Sequence, residues 1–172
     1  MKRLPSTTLD LAGLQLSPGE GARVGVPVCP GPLTLGGQRY ETSPETVEAE
    51  LEVSRTRGGH AMRLRFSLEV RGPCMRCLGP ASLPVEIEAR EVDQPPDPEM
   101  SSPYAEDGEL DVGRWAHDAL ALALPGQALC RPNCAGLCPV CGESLNDADP
   151  ADHDHGRELD PRWAKLRELD LE

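Results

Sequence analysis

From Val47 onward, apolar and polar residues alternate along the chain. Val47, Ala49, Leu51 and Val53 take turns with Glu48, Glu50 and Glu52. Met62, Leu64, Phe66, Leu68 and Val70 do so with Arg63, Arg65, Ser67, Glu69 and Arg71. Leu83, Val85, Ile87 and Ala89 do so with Pro84, Glu86, Glu88 and Arg90. A period of two sends successive side chains to opposite faces of an extended chain, so each run predicts a strand buried on one side. The Arg55–Gly59 segment, with its Gly58-Gly59 pair, predicts the hairpin loop between the first two runs. Cys74–Pro80 predicts the turn into the third. An antiparallel meander follows, its exposed face setting a glutamate-rich strand beside an arginine-bearing one, as cross-strand electrostatics favours.

Beyond the meander the period changes. Val112, Trp115, Ala116, Ala119, Leu120 and Ala123 recur at helical spacing and form one apolar stripe. Asp111 can cap this helix and Pro125 stops it, predicting a helix over 111–124. The acidic, proline-rich residues 93–110 before it read as a loop. Residues 9–40, interrupted by glycine and proline, predict short edge strands and turns. At the other end, Asp160 and Pro161 open a short terminal helix that turns Trp163, Leu166 and Leu169 inward.

Composition limits what such a core can bury. Aromatic residues are 3% of the chain, Phe66 is its single phenylalanine, and glycine and proline number 17 and 18 of 172 residues. A bound metal that folds its own ligands is a sensible supplement to so small an apolar core. The N-terminal residues lack the apolar segment of a signal peptide, and no run approaches transmembrane length, so a soluble, cytoplasmic protein is expected. Thiols stay reduced there, and paired cysteines then mark metal rather than disulfides. Cys29, isolated in Val28-Cys29-Pro30, reads as a small buried hydrophobe.

The remaining six cysteines are paired. Cys130, Cys134, Cys138 and Cys141 fall within twelve residues, and Cys74 and Cys77 lie upstream. Cys-x2-Cys lets two thiolates meet one tetrahedral ion at Zn–S distances of about 2.3 Å. Two partitions use these residues. In one, Cys130, Cys134, Cys138 and Cys141 share a single ion. In the other, Cys74, Cys77, Cys130 and Cys134 staple the sheet turn to the end of the helix, while Cys138 and Cys141 join His153 and His155 in a small knuckle. One or two structural zinc ions are expected. His60 and His117 lie away from the cysteines and are assigned no ligand role. No deaminase, hydrolase, metalloprotease or P-loop motif occurs, so neither catalysis nor a small-molecule substrate is expected. The expected fold class is α+β: an antiparallel β-meander core, a central amphipathic helix and a zinc-bound C-terminal knuckle. Residues 1–128 form the β-rich domain and 129–172 the knuckle segment with its terminal helix.

Charge adds a candidate surface. The net charge is -12, which argues against a general nucleic-acid coat. Yet Val53–Cys77 holds six arginines (Arg55, Arg57, Arg63, Arg65, Arg71 and Arg76) against Glu69 alone, a window of +5 that leaves -17 elsewhere. These arginines either contact RNA or pair across the sheet with Glu48, Glu50 and Glu52. The acidic remainder is suited instead to holding a basic protein.

The order of motifs resembles one family. Cys74-Met75-Arg76-Cys77-Leu78 precedes a strand, an acidic gap and an amphipathic helix ending Ala123-Leu124-Pro125. Then come Leu129-Cys130, Gly136-Leu137-Cys138-Pro139-Val140-Cys141-Gly142, Leu145-Asn146 and the tail Leu159–Leu166. From about Val47 to Leu169 this is similar to the bacterial YceD family, the DUF177 group. The resemblance implies a role in accumulation of large-subunit (23S) ribosomal RNA, through that RNA or a pre-ribosomal particle. It also implies the two-ion partition, since relatives place Cys-x-Cys where this chain has His153-x-His155. The alternative is an acidic, zinc-stabilised module that escorts a basic ribosomal protein.

Overall fold

Each alternating run becomes a strand, and each is longer than its pattern alone defines. The computed structural model describes residues 7–95 and 97–147 together with His153 and His155. In chain order these form β1 (Thr8–Asp10), β2 (Gly21–Val28), β3 (Leu33–Leu35), β4 (Gln38–Ser43), β5 (Val47–Arg55), β6 (His60–Pro73), β7 (Pro80–Asp93), β8 (Ala105–Glu106), β9 (Glu109–Asp111) and α1 (Val112–Ala123). Among the described residues the architecture is mostly antiparallel sheet with one α-helix. The terminal helix expected from Asp160 lies outside the described residues. No helix among the described residues is long and apolar enough to cross a membrane.

The β5–β6–β7 meander is the spine. Leu51 faces Leu64 and Val53 faces Met62 across β5 and β6, while Phe66 faces Ile87 and Leu68 faces Val85 across β6 and β7. Ala49, Leu51, Val53, Leu64 and Val70 are fully buried. β7 pairs with β6 along its whole length. The other edge of β6 is shared: β5 takes His60–Arg65 and β4 takes Glu69–Arg71.

The sheet is larger than the expected meander. β2 is an edge strand as expected, but eight residues long rather than a short piece among turns, and it pairs with all but the last residue of β5, burying Val26 and Val28. Its pattern is blurred by Gly25 and by Pro27, a residue that an outermost strand tolerates. β3 and β4 form a hairpin through Gly36 and Gly37, with φ of 56° and 79°. A two-residue turn of that hand needs positive φ at both positions.

The segment 93–110 is also more ordered than a loop. It carries a short 3-10 turn at Pro98–Met100 and the hairpin β8–β9, to which β1 adds a third strand. Asp107 and Gly108 supply the turn with φ of 51° and 85°, an Asp-Gly hairpin signal submerged in acidic, proline-rich sequence. Buried Leu110 anchors it, and the Asp93 carboxylate accepts from Ser102 N at 3.1 Å.

The helix follows the sequence closely. Asp111 Oδ1 accepts from Arg114 N at 2.9 Å, and Val112, Trp115, Ala116, Ala119 and Leu120 are buried, chiefly against β7, β1 and β2. Ala123, in the last turn, is exposed. Leu64→Ala removes a fully buried side chain from the central strand and should cost about 2–5 kcal/mol in denaturant unfolding. Leu122→Ala, at a position 87% exposed, should fall within about 0.5 kcal/mol of wild type.

The outer face of the spine is a ladder of ion pairs. Arg65 holds Glu50 and Glu52, Arg63 holds Glu52 and Glu88, and Arg23 reaches the same two glutamates of β5. The hydrogen bond from Arg65 holds the Glu50 carboxyl below its ordinary value of 4.5, and those from Arg63 and Arg71 do the same for Glu88 and Glu69. A carboxylate depressed on folding stabilises the fold above its unfolded pKa and loses that contribution as pH falls through the lower folded value. Melting temperature should therefore fall as pH drops below about 4.5, and less so in 1 M salt, where exposed pairs are screened. A melting temperature flat from pH 5 to 3 would remove any stabilising part for the ladder.

Candidate metal centres

At the far end of β6 the chain makes a tight turn whose backbone is arranged around sulfur. Cys74 N donates to Gly79 O at 2.7 Å and Leu78 N to Cys74 O at 2.9 Å, closing the loop that carries both thiols. Leu78 adopts a φ of 58°, the left-handed region that favours glycine, to complete it. Met75 N donates to Ala128 O at 2.8 Å, bringing the segment after α1 alongside. Gly136, at φ 84°, approaches so closely that a Cβ there would lie 3.4 Å from Arg76 O.

Four thiols converge there. Cys74 Sγ lies 3.8 Å from Cys134 Sγ, and Cys77 Sγ lies 3.7 Å from Cys130 Sγ. All four sulfurs fall within 4.8 Å of one another. A disulfide would bring two of them to about 2.05 Å. An ion held about 2.3 Å from each of four sulfurs sets a tetrahedron with edges of about 3.8 Å. The observed spacings match that edge, and every cysteine is a free thiol. Cys74 and Cys134 are buried with Ala81, beside Leu129.

The second group is Cys138, Cys141, His153 and His155, whose ligand atoms also lie within 4.8 Å of one another. Cys138-Pro139-Val140-Cys141 forms a tight turn, with Gly142 N donating to Cys138 O at 2.9 Å and Cys138 N to Glu143 O at 2.7 Å. Both ring nitrogens of His153 are buried and make no hydrogen bond among the described residues. A buried polar atom without a partner is costly, and an ion at this group would relieve it. Glu143 Oε2 stands 3.4 Å from His153 Nε2 without hydrogen bonding to it.

Local dipoles prepare the sulfurs for a cation. Burial opposes ionisation of Cys74, but N–H donation from the backbone of Cys77, Arg76 and Cys130 outweighs it and brings the thiol down to about 6. Burial likewise works against Cys134, where the Asn146 side chain leads the groups that lower it. Backbone donation from Cys141 and Val140 lowers Cys138 to about 7. Burial and the thiols around it push Cys130 up to about 12. Both groups offer four protein ligands of the kinds soft or borderline metal ions prefer.

The six cysteines and two histidines singled out by spacing thus assemble in the partition that joins Cys74 and Cys77 to Cys130 and Cys134, and not as one site of four C-terminal thiols. Cys29 is a buried free thiol apart from both groups. The six candidate arginines divide. Arg63, Arg65 and Arg71 are engaged with carboxylates. Arg55 touches His60 Nε2 at 3.1 Å, Arg76 donates to Cys134 O at 3.0 Å, and neither these two nor Arg57 pairs with a carboxylate among the described residues. Arg131, which no motif marked, donates to Asn146 O at 2.7 Å and also lacks a carboxylate partner among them. Asn146 itself sends Nδ2 toward Cys134 Sγ at 3.5 Å, a role for which a lone asparagine gives no local pattern.

With this geometry in hand, comparison with known proteins is direct. The profile of the family described as large ribosomal RNA subunit accumulation protein YceD matches residues 62–170. The chain belongs to the YceD family. A 105-residue stretch is 38% identical to an uncharacterized protein of Mycobacterium tuberculosis, covering 57% of this chain and 49% of that one. An uncharacterized protein of Mycobacterium bovis matches to the same extent. The chain therefore spans about half the length of these curated relatives. A 42-residue stretch is 43% identical to a Zea mays protein named large ribosomal RNA subunit accumulation protein YCED homolog 1, chloroplastic, covering 24% of this chain and 14% of that one. No solved structure matches this YceD-family chain.

The depressed thiols make a measurable demand. In metal-free, fully reduced protein, thiolate absorbance in the ultraviolet should begin to rise near pH 6–7, as Cys74 and Cys138 ionise, rather than near the ordinary thiol value of 9. A first rise seen only above pH 8 would show that the backbone donors do not act as described.

Proposed function

We propose that the chain is a noncatalytic, zinc-stapled factor that supports accumulation of the large ribosomal RNA by contacting that RNA within a pre-ribosomal particle. The family supplies the role. The observation that carries the physical reading is the convergence of four sulfurs at tetrahedral spacing, which ties the segment after α1 to the end of the sheet. Zinc is the natural ion, because it takes thiolate and imidazole in closed tetrahedral sites without redox chemistry. A site closed by four protein ligands has no open position for water or substrate, which supports structural rather than catalytic metal. Such ions contribute on the order of 10 kcal/mol to folding in small peptides.

Charge supports where the RNA would lie. The arginines on the flat face of β6 are neutralised by their own glutamates, so they offer little net field. Arg55 and Arg57 stand at one end of β6, and Arg76 with Arg131 at the other. The strand's fourteen residues place these ends about 43 Å apart. Contacts at the ends, spanning a segment of RNA, suit this distribution better than contacts along the face. The alternative, escort of a basic ribosomal protein, rests on the acidity of the remaining surface.

Binding to a large-subunit RNA fragment, measured against salt, tests the reading. Wild type should bind more weakly as salt rises, and Arg55→Glu/Arg57→Glu should lower the logarithmic salt slope by about 1.4–1.8, two phosphate contacts' worth. Arg63→Gln/Arg65→Gln should bind nearly as wild type. Salt-independent binding, or nuclease-resistant capture of a basic ribosomal protein in place of RNA, would transfer the proposal to escort.

A further inference from the structure

We infer that Asn146 is the joint that couples the two thiol groups, so that an ion at the C-terminal group tightens retention of the ion at the sheet-end group. The inference rests on the reading that both groups hold zinc.

The residues between the two groups form a small zipped hairpin. Leu137 pairs with Ser144 in an isolated antiparallel bridge, Leu145 N donates to Gly136 O at 2.9 Å, and Cys138 N donates to Glu143 O at 2.7 Å. Cys138 and Cys141 sit at its tip and Cys134 at its base. The returning arm ends at Asn146, which is held three ways. Its Oδ1 accepts from Ala135 N at 2.9 Å, its backbone oxygen accepts from Arg131 at 2.7 Å, and its Nδ2 lies 3.3 Å from Ser144 Oγ. A backbone N–H can only donate, so the amide oxygen must face Ala135 and the amide nitrogen must face sulfur. That nitrogen reaches Cys134 Sγ at 3.5 Å.

The consequence follows from connectivity. The tip turn must be closed for the returning arm to keep its register, and that register alone delivers Asn146 to Cys134. An ion gripping Cys138 and Cys141 closes the tip. It thereby supplies the sheet-end group with an outer donor that orients and neutralises a ligating sulfur. Coupling of this kind is reciprocal, so the sheet-end ion should favour the C-terminal one by the same factor. Removing an outer-shell partner typically costs 10–100-fold in metal affinity.

The test uses the whole 172-residue chain in reduced form and zinc or cobalt(II) as the probe. Elemental analysis gives ions per chain. A chromophoric chelator gives release rates, and cobalt bands separate the four-thiolate site from the mixed thiolate–imidazole site. Wild type should hold two ions. Cys138→Ala/Cys141→Ala should hold one, released about 10-fold faster than the sheet-end ion of wild type. Asn146→Leu should hold two, with the same acceleration at the four-thiolate site. The combination should be no faster than either alone, since both remove one linkage. Asn146→Asp, which keeps the side chain's shape but brings negative charge beside sulfur, should also accelerate release and covers the case in which leucine disturbs packing. Release of the sheet-end ion at the wild-type rate in these variants overturns the coupling, as do accelerations that multiply in the combination. Fewer than two ions in wild type instead removes the reading that both groups hold zinc, and the coupling with it.

Discussion

Sulfur crowding is the constraint on which the rest of the molecule depends. Cys74 and Cys77 belong to a turn of the main sheet, whereas Cys130 and Cys134 arrive after the helix, and their sulfurs meet at 3.7–3.8 Å. Several N–H dipoles aim at that point and draw Cys74 down to about 6. At neutral pH such an arrangement gathers negative charge in a buried place, which is unfavourable unless a cation sits among the sulfurs. A chain with a single phenylalanine and few other aromatics has little alternative means of fastening the segment after α1. The same ion that removes the electrostatic penalty supplies the missing cohesion.

The second consequence of a thin core is the outer face of the sheet. Arg23, Arg63 and Arg65 share Glu50, Glu52 and Glu88 across the four neighbouring strands β2, β5, β6 and β7. Partly exposed pairs contribute little singly, yet the network covers the backs of the buried leucines and valines with side-chain stems and specifies register. It also spends the positive charge of the arginine-rich window internally. Cations without acidic partners are left where strands end.

Much of this was legible before any coordinates. The period-two runs of β5, β6 and β7 and the stripe of α1 with Asp111 as its cap express themselves at short range, whereas thiol spacing left two partitions open until the fold set Cys138 and Cys141 beside His153 and His155. What stayed hidden was set at long range or obscured by composition. Gly25 and Pro27 disguise β2, whose strand character is supplied by its partner β5 rather than by its own residues. Asp107-Gly108 is a hairpin turn by conformation, but the acidic residues around it read as loop. Arg63 and Arg65 could be read as RNA ligands or as sheet partners until the register set Glu52 and Glu50 opposite them. Leu145-Asn146 stood in the order of motifs, but the role of its amide gave no signal, because a single amide reaching one sulfur depends on the hairpin that carries it.

The shared edge of β6 also splits one side of the sheet. β5 covers His60–Arg65 and β4 covers Glu69–Arg71, so Phe66, Ser67 and Leu68 lie at a seam between two leaves hung on one spine. The leaf of β2 and β5 is the one that meets α1, while the leaf of β3 and β4 borders the thiol turn, with Tyr40 Oη donating to Pro73 O at 2.8 Å. Load entering at the sulfur turn passes first into β6 and β7, which the turn joins and which stay paired up to Pro73 and Pro80. β7 runs unbroken behind that seam and carries α1, so a pull at the thiol end is felt along one continuous hairpin by the strand on which the helix rests.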